Sequence, residues 1–277
     1  MRALLIGANG QLGTDIMATK PAGIELKGLT RKELDITHFN QLREVLLAAK
    51  PDVLINTAAY HKTDACEDDP ELTFKVNAIA VREMAQIINE LNGILVHIST
   101  DYVYDGKKKP IPYTEVDPPN PLNTYGIAKL AGEIYLSNIT EKHYRVRVSS
   151  LFGKAGASAK GGNFVTTVLR RAQQGESLRV INDAEMSPTY TMDAAKEIWR
   201  LITEQRPFGV YHVTNGGHCS WYAFAKQILK LSGLKNDVIP IDHTEYFTKA
   251  KRPLWSPLES VKDIHLRPWE EALEEFL

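Results

Sequence analysis

Directly after its first apolar run, Ala3 to Ile6, the chain reads Gly7-Ala-Asn-Gly10-Gln-Leu-Gly13, and this GxxGxxG spacing constrains the fold more than any other feature. A sharp turn from strand into helix favours residues without a Cβ: one to make the turn, one to let backbone approach a ligand closely, one to pack helix on strand. The helix that opens there directs N–H groups and a partial positive charge at the turn, which suits a pyrophosphate. Glycine-rich turns also occur without a ligand, so the weight of this one comes from what surrounds it.

What surrounds it is a long alternation of short apolar runs and amphipathic stretches, the pattern of strand-helix-strand units around a parallel sheet. Strands are predicted at Ala3 to Ile6, Ile24 to Gly28, Val53 to Asn56, Ile94 to Ser99 and Arg145 to Ser149, and helices near Gln11 to Ala18, His38 to Ala49, Glu71 to Leu91 and Thr124 to Ser137. Between Tyr102 and Leu122 five prolines (110, 112, 118, 119 and 121) deny the chain regular structure and predict a loop. After Ser150 the rhythm loosens. A glycine-rich patch at Gly153 to Gly162 precedes a helix near Asn163 to Gln174, a strand near Leu178 to Ile181, a helix near Asp193 to Glu204, a strand near Val210 to Thr214 and a helix near Trp221 to Leu231. The expected fold is α/β: a Rossmann-type doubly wound parallel sheet with a smaller substrate-binding lobe. Residues 1–150 form the dinucleotide-binding domain, 188–215 return to it, and 151–187 with 216–277 make up the lobe.

A length of 277 residues suffices for that arrangement. A net charge of -1 with 24% charged residues gives no basic surface for nucleic acid. No segment is apolar for the roughly 18–20 residues a membrane span needs, and the amino terminus lacks the long apolar stretch of a signal peptide. Cys66 and Cys219 are too few for a disulfide framework and show no metal-ligand spacing. The expectation is a cytoplasmic protein with neither nucleic-acid nor membrane partners.

At the end of the second strand an NAD site usually offers an acid to the ribose 2′-hydroxyl. Here the chain reads Gly28-Leu-Thr-Arg31-Lys32, so Arg31 and Lys32 predict a 2′-phosphate and NADPH as the cofactor, with NADH the alternative. Further on, Tyr125-Gly-Ile-Ala-Lys129 opens a helix that Asn123 or Thr124 can cap, and the i, i+4 spacing puts phenol and ammonium on one face. A free tyrosine has a pKa of about 10. An ammonium at roughly 4 Å in an effective dielectric near 20 favours the phenolate by about 4 kcal/mol, or about 3 pKa units. The expectation is therefore that Lys129 lowers Tyr125 towards neutrality, where acid-base catalysis is efficient. Ser99 and Thr100 end the fourth strand, at the carboxyl edge of the sheet where ligands of open α/β folds bind.

These motifs, with Asn56-Thr-Ala58-Ala59-Tyr60, Val76-Asn77-Ala78, Ile98-Ser-Thr-Asp-Tyr-Val-Tyr-Asp-Gly106, Asn163-Phe-Val165, Ser187-Pro-Thr-Tyr190, Tyr211-His-Val-Thr-Asn215 and Leu266-Arg-Pro-Trp269, resemble the extended short-chain dehydrogenase/reductases. Within them the chain is similar to the dTDP-4-dehydrorhamnose reductase family over essentially its whole length. The resemblance implies reduction of the 4-keto group of dTDP-4-dehydro-L-rhamnose to dTDP-L-rhamnose by NAD(P)H. It makes Tyr125 the proton donor, gives Lys129 the nicotinamide ribose and the tuning of Tyr125, and has Thr100 polarise the carbonyl. Gly7, Asn9, Gly10, Gln11, Leu12 and Gly13 would line the pyrophosphate, Asp35 and Ile36 the adenine, and Ala58, Ala59, Tyr60 and Asn77 the ribose and phosphate side. Thr100, Asp101, Tyr102, Phe152 and Asn163 would meet the substrate. Arg170, Arg171 and Arg179 are candidates for its diphosphate. Arg252-Pro253 and Trp255 either close over the nucleotide or, with Trp269, anchor the carboxyl-terminal segment.

The chain departs from the family at Leu151, where a tryptophan that meets the sugar is common; Phe152 is its nearest aromatic replacement. Some relatives hold magnesium through acids at a dimer contact, and Asp15 occupies one such position. A lone aspartate in the first turn of a helix is explained by the helix dipole, so no metal is expected, while the resemblance leaves room for a homodimer. Two rival readings share the motifs: a nucleotide-sugar epimerase or dehydratase, against which Asp101 is followed by Tyr102 and not by a second acid, and a non-catalytic NADP-binding regulatory subunit.

Overall fold

A computed structural model describes residues 1–156 and 161–277; part of the glycine-rich patch at 153–162 lies outside the described residues. In chain order the first half runs β1 (Arg2–Ile6), α1 (Gln11–Ala18), β2 (Glu25–Leu29), α2 (Phe39–Ala49), β3 (Val53–Asn56), α3 (Thr63–Asp68), α4 (Pro70–Phe74), α5 (Ala80–Glu90), β4 (Ile94–Thr100), α6 (Thr124–Ile139) and β5 (His143–Val148). The second half adds β6 (Leu151–Phe152), α7 (Phe164–Gln173), β7 (Leu178–Ile181), β8 (Glu185–Met186), β9 (Thr189–Tyr190), α8 (Thr191–Thr203), β10 (Gly209–His212), β11 (Cys219–Ser220), α9 (Trp221–Leu231), β12 (Val238–Ile241) and α10 (Trp269–Phe276).

The main sheet has the order β2-β1-β3-β4-β5-β10, and each pairing is parallel. Its central strands β1 and β3 read as nearly continuous apolar runs because both faces are covered, whereas edge strand β2 alternates exposed and covered positions. Leu5, Val53, Ile55 and Val96 pack under α1 and α8, while Leu4, Ile6, Leu54 and Leu95 alternate to the side of α2 and α5. The chain leaves β1 towards β2 on one side and returns to β3 on the other. The carboxyl ends of β1 and β3 therefore flank a topological switch point, where this class of sheet binds ligands. Beside the sheet, Phe152, Val165, Leu178, Phe224, Ile228 and Trp269 form the core of the lobe built from α7, α9, α10 and the parallel pair β7–β12.

The predicted helix 71–91 is interrupted. It consists of α4, a π-helical turn Lys75–Ile79 and α5. A π turn inserts an extra residue and re-aims a side chain, and such turns concentrate at functional sites; this one carries Asn77. The Tyr102–Leu122 segment is irregular, as its prolines require, apart from a 3-10 turn at Asp101–Val103.

Candidate functional site

The turn after β1 fits a dinucleotide on local geometry. Gly7 has φ +86°, and a Cβ there would lie 2.5 Å from the Thr57 hydroxyl; a Cβ on Gly13 would collide with the Gly7 carbonyl. Gly7 and Ala8 both donate to Leu29 O at the end of β2, and Thr57 Oγ1 donates to Ile6 O, so turn, β2 and β3 are locked together. Gly10 caps α1 without any side-chain hydrogen bond. A helix start so uncovered presents backbone N–H groups to an anion.

Gly10, Gln11, Leu12, Gly13, Ala59, Thr100, Asp101, Tyr102, Tyr125, Lys129, Phe152 and Asn163 line a single cleft of about 790 Å³. Gly7 and Asn9 belong to the same turn, while Arg31, Asp35, Ile36, Ala58, Tyr60 and Asn77 do not line the cleft. Asn77 acts one step back: its amide accepts from Tyr60 N at 3.0 Å and donates to Tyr60 O at 2.9 Å, clamping the loop after β3. At the end of β2, exposed Arg31 is paired with Asp35 at 3.1 Å, and Asp35 also accepts from Thr37.

The phenol and amine are delivered by α6. Asn123 caps it, accepting from Gly126 N at 2.8 Å, while the other end of its amide donates to Lys251 O in the carboxyl-terminal segment. Glu67 adds bonds from Thr124 N and Oγ1. Gly126 lies so close to Tyr102 O that a Cβ would overlap it. Tyr125 and Lys129 thus stand one turn apart over the end of β4, where Thr100 is 6% exposed.

One electrostatic expectation is overturned. Burial pushes the Tyr125 phenol above its ordinary value, Asp101, Cys66 and Tyr102 add to the rise, and a hydrogen bond with Thr100 opposes it. The Lys129 side chain donates to Ile98 O at 2.6 Å and lies 3.0 Å from His97 Nε2. Burial lowers Lys129 itself to about 7, against the opposing pull of Glu133. The expectation took an effective dielectric near 20 for the pair; around Tyr125 desolvation by burial is the largest influence, and it favours the neutral phenol.

Asp101 is buried next to the trio, accepting from Thr100 Oγ1 at 3.0 Å and Ser149 Oγ at 3.1 Å. Burial raises its carboxyl to about 6, less than it would without those hydroxyls and Ser256. Tyr102 packs edge-on to Tyr125 at 6.0 Å. Phe152 is 1% exposed and stacked on Tyr190, so it is core, not a free aromatic face for a sugar. Trp221 and Phe164, both half-buried, line that wall and pack on each other at 4.8 Å. Asn163 is also spoken for: it caps α7 in a capping box with Thr166 and donates to Gln11 Oε1 at 2.7 Å and Gly153 O at 2.9 Å.

Arg252 reaches the cleft and is held by Asp64 at 3.0 Å. Arg170, Arg171 and Arg179 do not line it; Arg171 pairs with Glu176 and Arg179 with Glu245. Of the two roles considered for the tryptophans, the packing favours anchoring: Trp255 is 2% exposed with its indole donating to Ile111 O, and Trp269 lies in the lobe core. Asp15 lies beyond the first turn of α1, so the dipole explanation fails. Its carboxylate accepts from Thr191 Oγ1 and so fastens α1 to α8. Lys62 and Trp221 line the cleft without having been singled out from sequence. Lys62 follows the Ala58-Ala59-Tyr60 motif by two residues, and Trp221 opens α9 directly after its cap, Ser220, which accepts from Ala223 N.

Comparison with known proteins places these features in one family. Residues 1–277 match the family model described as RmlD substrate binding domain. The chain is 37% identical to the spore coat polysaccharide biosynthesis protein SpsK of Bacillus subtilis, covering 100% of this chain and 96% of that protein. A dTDP-4-dehydrorhamnose reductase from Clostridium acetobutylicum superposes with a TM-score of 0.93 at 37% identity, covering 100% of this chain and 98% of that one. The dTDP-4-dehydrorhamnose reductase of Bacillus anthracis, solved in complex with NADP, gives a TM-score of 0.94 at 36% identity over 99% of this chain and 98% of that one. With a match along its entire length, a shared fold and a glycine turn shaped for a dinucleotide, the chain belongs to the RmlD substrate-binding domain family.

Proposed function

We propose that the protein reduces the 4-keto group of dTDP-4-dehydro-L-rhamnose to dTDP-L-rhamnose with NADPH. The observation that carries this reading is the meeting of Thr100, Tyr125 and Lys129 in the same cleft as the start of α1. Gly10, Gln11, Leu12 and Gly13 would hold the dinucleotide, which when bound would supply the hydride. Residues 1–150 with 188–215 bind it, and the lobe of 151–187 and 216–277 receives the sugar nucleotide.

The raised phenol of Tyr125 stays protonated at neutral pH, which is the state a proton donor to a developing alkoxide needs. Thr100 Oγ1 positions and polarises the ketone. Lys129 offers N–H groups to the nicotinamide ribose. Arg252, facing the cleft from the carboxyl-terminal segment, and Lys62 carry the positive charge suited to the substrate diphosphate. Trp221 offers the aromatic face that Leu151 does not. A non-catalytic subunit would not need this assembly, and an epimerase would have to retain its intermediate and return the hydride, for which the geometry offers no specific support.

Adding enzymatically prepared dTDP-4-dehydro-L-rhamnose to protein and NADPH is expected to consume nicotinamide absorbance with formation of dTDP-L-rhamnose. No consumption at any substrate concentration would sink the proposal. Arg31→Ala is expected to weaken NADPH by about tenfold and NADH hardly at all. That is the low end for a charge-assisted bond, because Arg31 is exposed and shared with Asp35. Equal losses for both cofactors in titration calorimetry would remove Arg31 from the 2′-phosphate.

A further inference from the structure

Two groups that the reaction needs at opposite ends of its substrate hang on one short helix. α3 follows the loop after β3 and carries Asp64, Glu67 and Asp68, at i, i+3 and i+4, so the three carboxylates stand side by side. Each holds a different neighbour. Glu67 Oε1 accepts from Thr124 N at 2.8 Å and its Oε2 from Thr124 Oγ1 at 2.7 Å, a two-bond grip on the residue before Tyr125. Thr124 N is one of the N–H groups at the start of α6 that no helix carbonyl satisfies, and a carboxylate there is favoured by the helix dipole. Asp64 Oδ1 accepts from Ala250 N at 3.0 Å and its Oδ2 from Arg252 Nη2 at 3.0 Å. Asp68 pairs with Lys249.

These bonds close into a ring. Asn123, the cap of α6, donates to Lys251 O at 2.8 Å, inside the same 249–252 stretch that Asp64 and Asp68 hold. α3, the start of α6 and the 249–252 stretch are thus joined pairwise, and none can slide without breaking bonds to the other two. Asp64, Tyr125 and Arg252 line the cleft, whereas Glu67 does not and acts through Thr124. The Asp64–Arg252 pair is partly exposed on both sides and so contributes little to stability. What it supplies is orientation: one guanidinium N–H is taken, and the others stay free for an anion.

We propose that Asp64 and Glu67 are positioning residues that make α3 a ruler between the two ends of the substrate: Glu67 sets the Tyr125 phenol at the ketone, and Asp64 sets the Arg252 guanidinium at the diphosphate. This deepens the reductase reading and rests on it for the identity of the two ends. The cleft is matched to a ketone carried at a fixed distance from a diphosphate.

The test is a split between kcat and KM on the full chain, with NADPH and the keto-sugar, alongside calorimetric titration of dTDP into the NADP-loaded protein. Glu67→Ala is expected to lower kcat by about 10–100-fold, the size of effect a misplaced proton donor produces, with KM and dTDP affinity within about twofold. Its solvent deuterium isotope effect should grow as proton transfer slows. Glu67→Gln keeps both bonds, its carbonyl accepting from Thr124 N and its NH2 donating to Thr124 Oγ1, and should hold kcat within about threefold of wild type. Asp64→Asn does the reverse. With its oxygen kept on Ala250 N, its NH2 is set against the guanidinium, so KM and the dTDP Kd should rise about tenfold with kcat little changed.

Thr124→Val and Asp64→Ala break the same two links and stand in for any variant that does not fold. The proposal is overturned if kcat and KM move together in both variants, if Glu67→Gln is as slow as Glu67→Ala, or if dTDP binds Asp64→Asn as tightly as wild type. Failure of wild type to consume the keto-sugar sinks the reductase reading but leaves two readouts that need no turnover. These are the dTDP titration for Asp64 and amide hydrogen exchange over residues 123–127 for Glu67, which should quicken in Glu67→Ala and not in Asp64→Asn. Unchanged exchange in Glu67→Ala, or a wild type that does not bind dTDP, overturns the proposal on its own.

Discussion

Tyr125→Phe is expected to lower kcat by a factor of about 10²–10⁴, the range for loss of a positioned general acid, while leaving NADPH affinity largely unchanged. The substitution deletes one oxygen and keeps the ring, so the edge-on packing with Tyr102 survives and no large cavity opens. The loss should fall on kcat more than on KM, because the phenol donates its proton only as the alkoxide develops. Thr100→Val removes the hydroxyl that bonds Tyr125 and Asp101 and is expected to cost less, about 10–100-fold, since it removes a polarising bond and not the proton. Stopped-flow rates at saturating NADPH separate the two. An unchanged rate for Tyr125→Phe would move the proton donor to another group in the cleft, and Asp101, with its carboxyl raised to about 6, stands next to the site.

The frame that carries this chemistry was legible because it is built from local signals. The glycine spacing, the apolar strands and the Asn123 cap each follow from neighbouring residues, and the strand and helix expectations fell within a few residues of the observed elements. The YxxxK spacing placed both side chains in one cleft for the same reason. What sequence did not carry was set by desolvation and long-range packing. Lys129 and Tyr125 satisfy the i, i+4 rule, yet the amine is drawn to a strand carbonyl and a histidine from β4, and burial raises the phenol. Phe152 looked like a sugar platform by adjacency to Leu151, but it closes the lobe core against Tyr190 and Phe224. The π turn around Asn77 depends on how α4 and α5 meet α6, where Gly132 admits the Asn77 carbonyl at a distance no Cβ would allow.

Glu133→Ala is expected to be the most destabilising single change near the site, costing about 3–5 kcal/mol. Glu133 is fully buried on α6, one turn beyond Lys129, and makes a two-bond fork with Arg147 of β5: Nε to Oε1 at 3.0 Å and Nη2 to Oε2 at 2.6 Å. The third arm of the guanidinium donates to Tyr104 OH at 2.7 Å, which in turn meets His212 at the end of β10. Removing the carboxylate leaves a buried guanidinium without its counter-charge, whereas removing both charges with Glu133→Leu and Arg147→Met should cost much less. A thermal shift of about 5–9 °C is expected for the single variant, given the unfolding entropy of a chain this long. The coupling energy from the double-mutant cycle should be large. Acid dependence supplies a second readout. Burial raises the Glu133 carboxyl, but the Arg147 bond and charge outweigh it and hold it below its ordinary range. Its folded pKa is therefore depressed, so its contribution is present above the unfolded value and is lost as pH falls through the folded one. Wild-type stability should decline through that window more steeply than that of Glu133→Gln, and equal slopes would show that the pair does not link α6 to the sheet in the way the geometry requires.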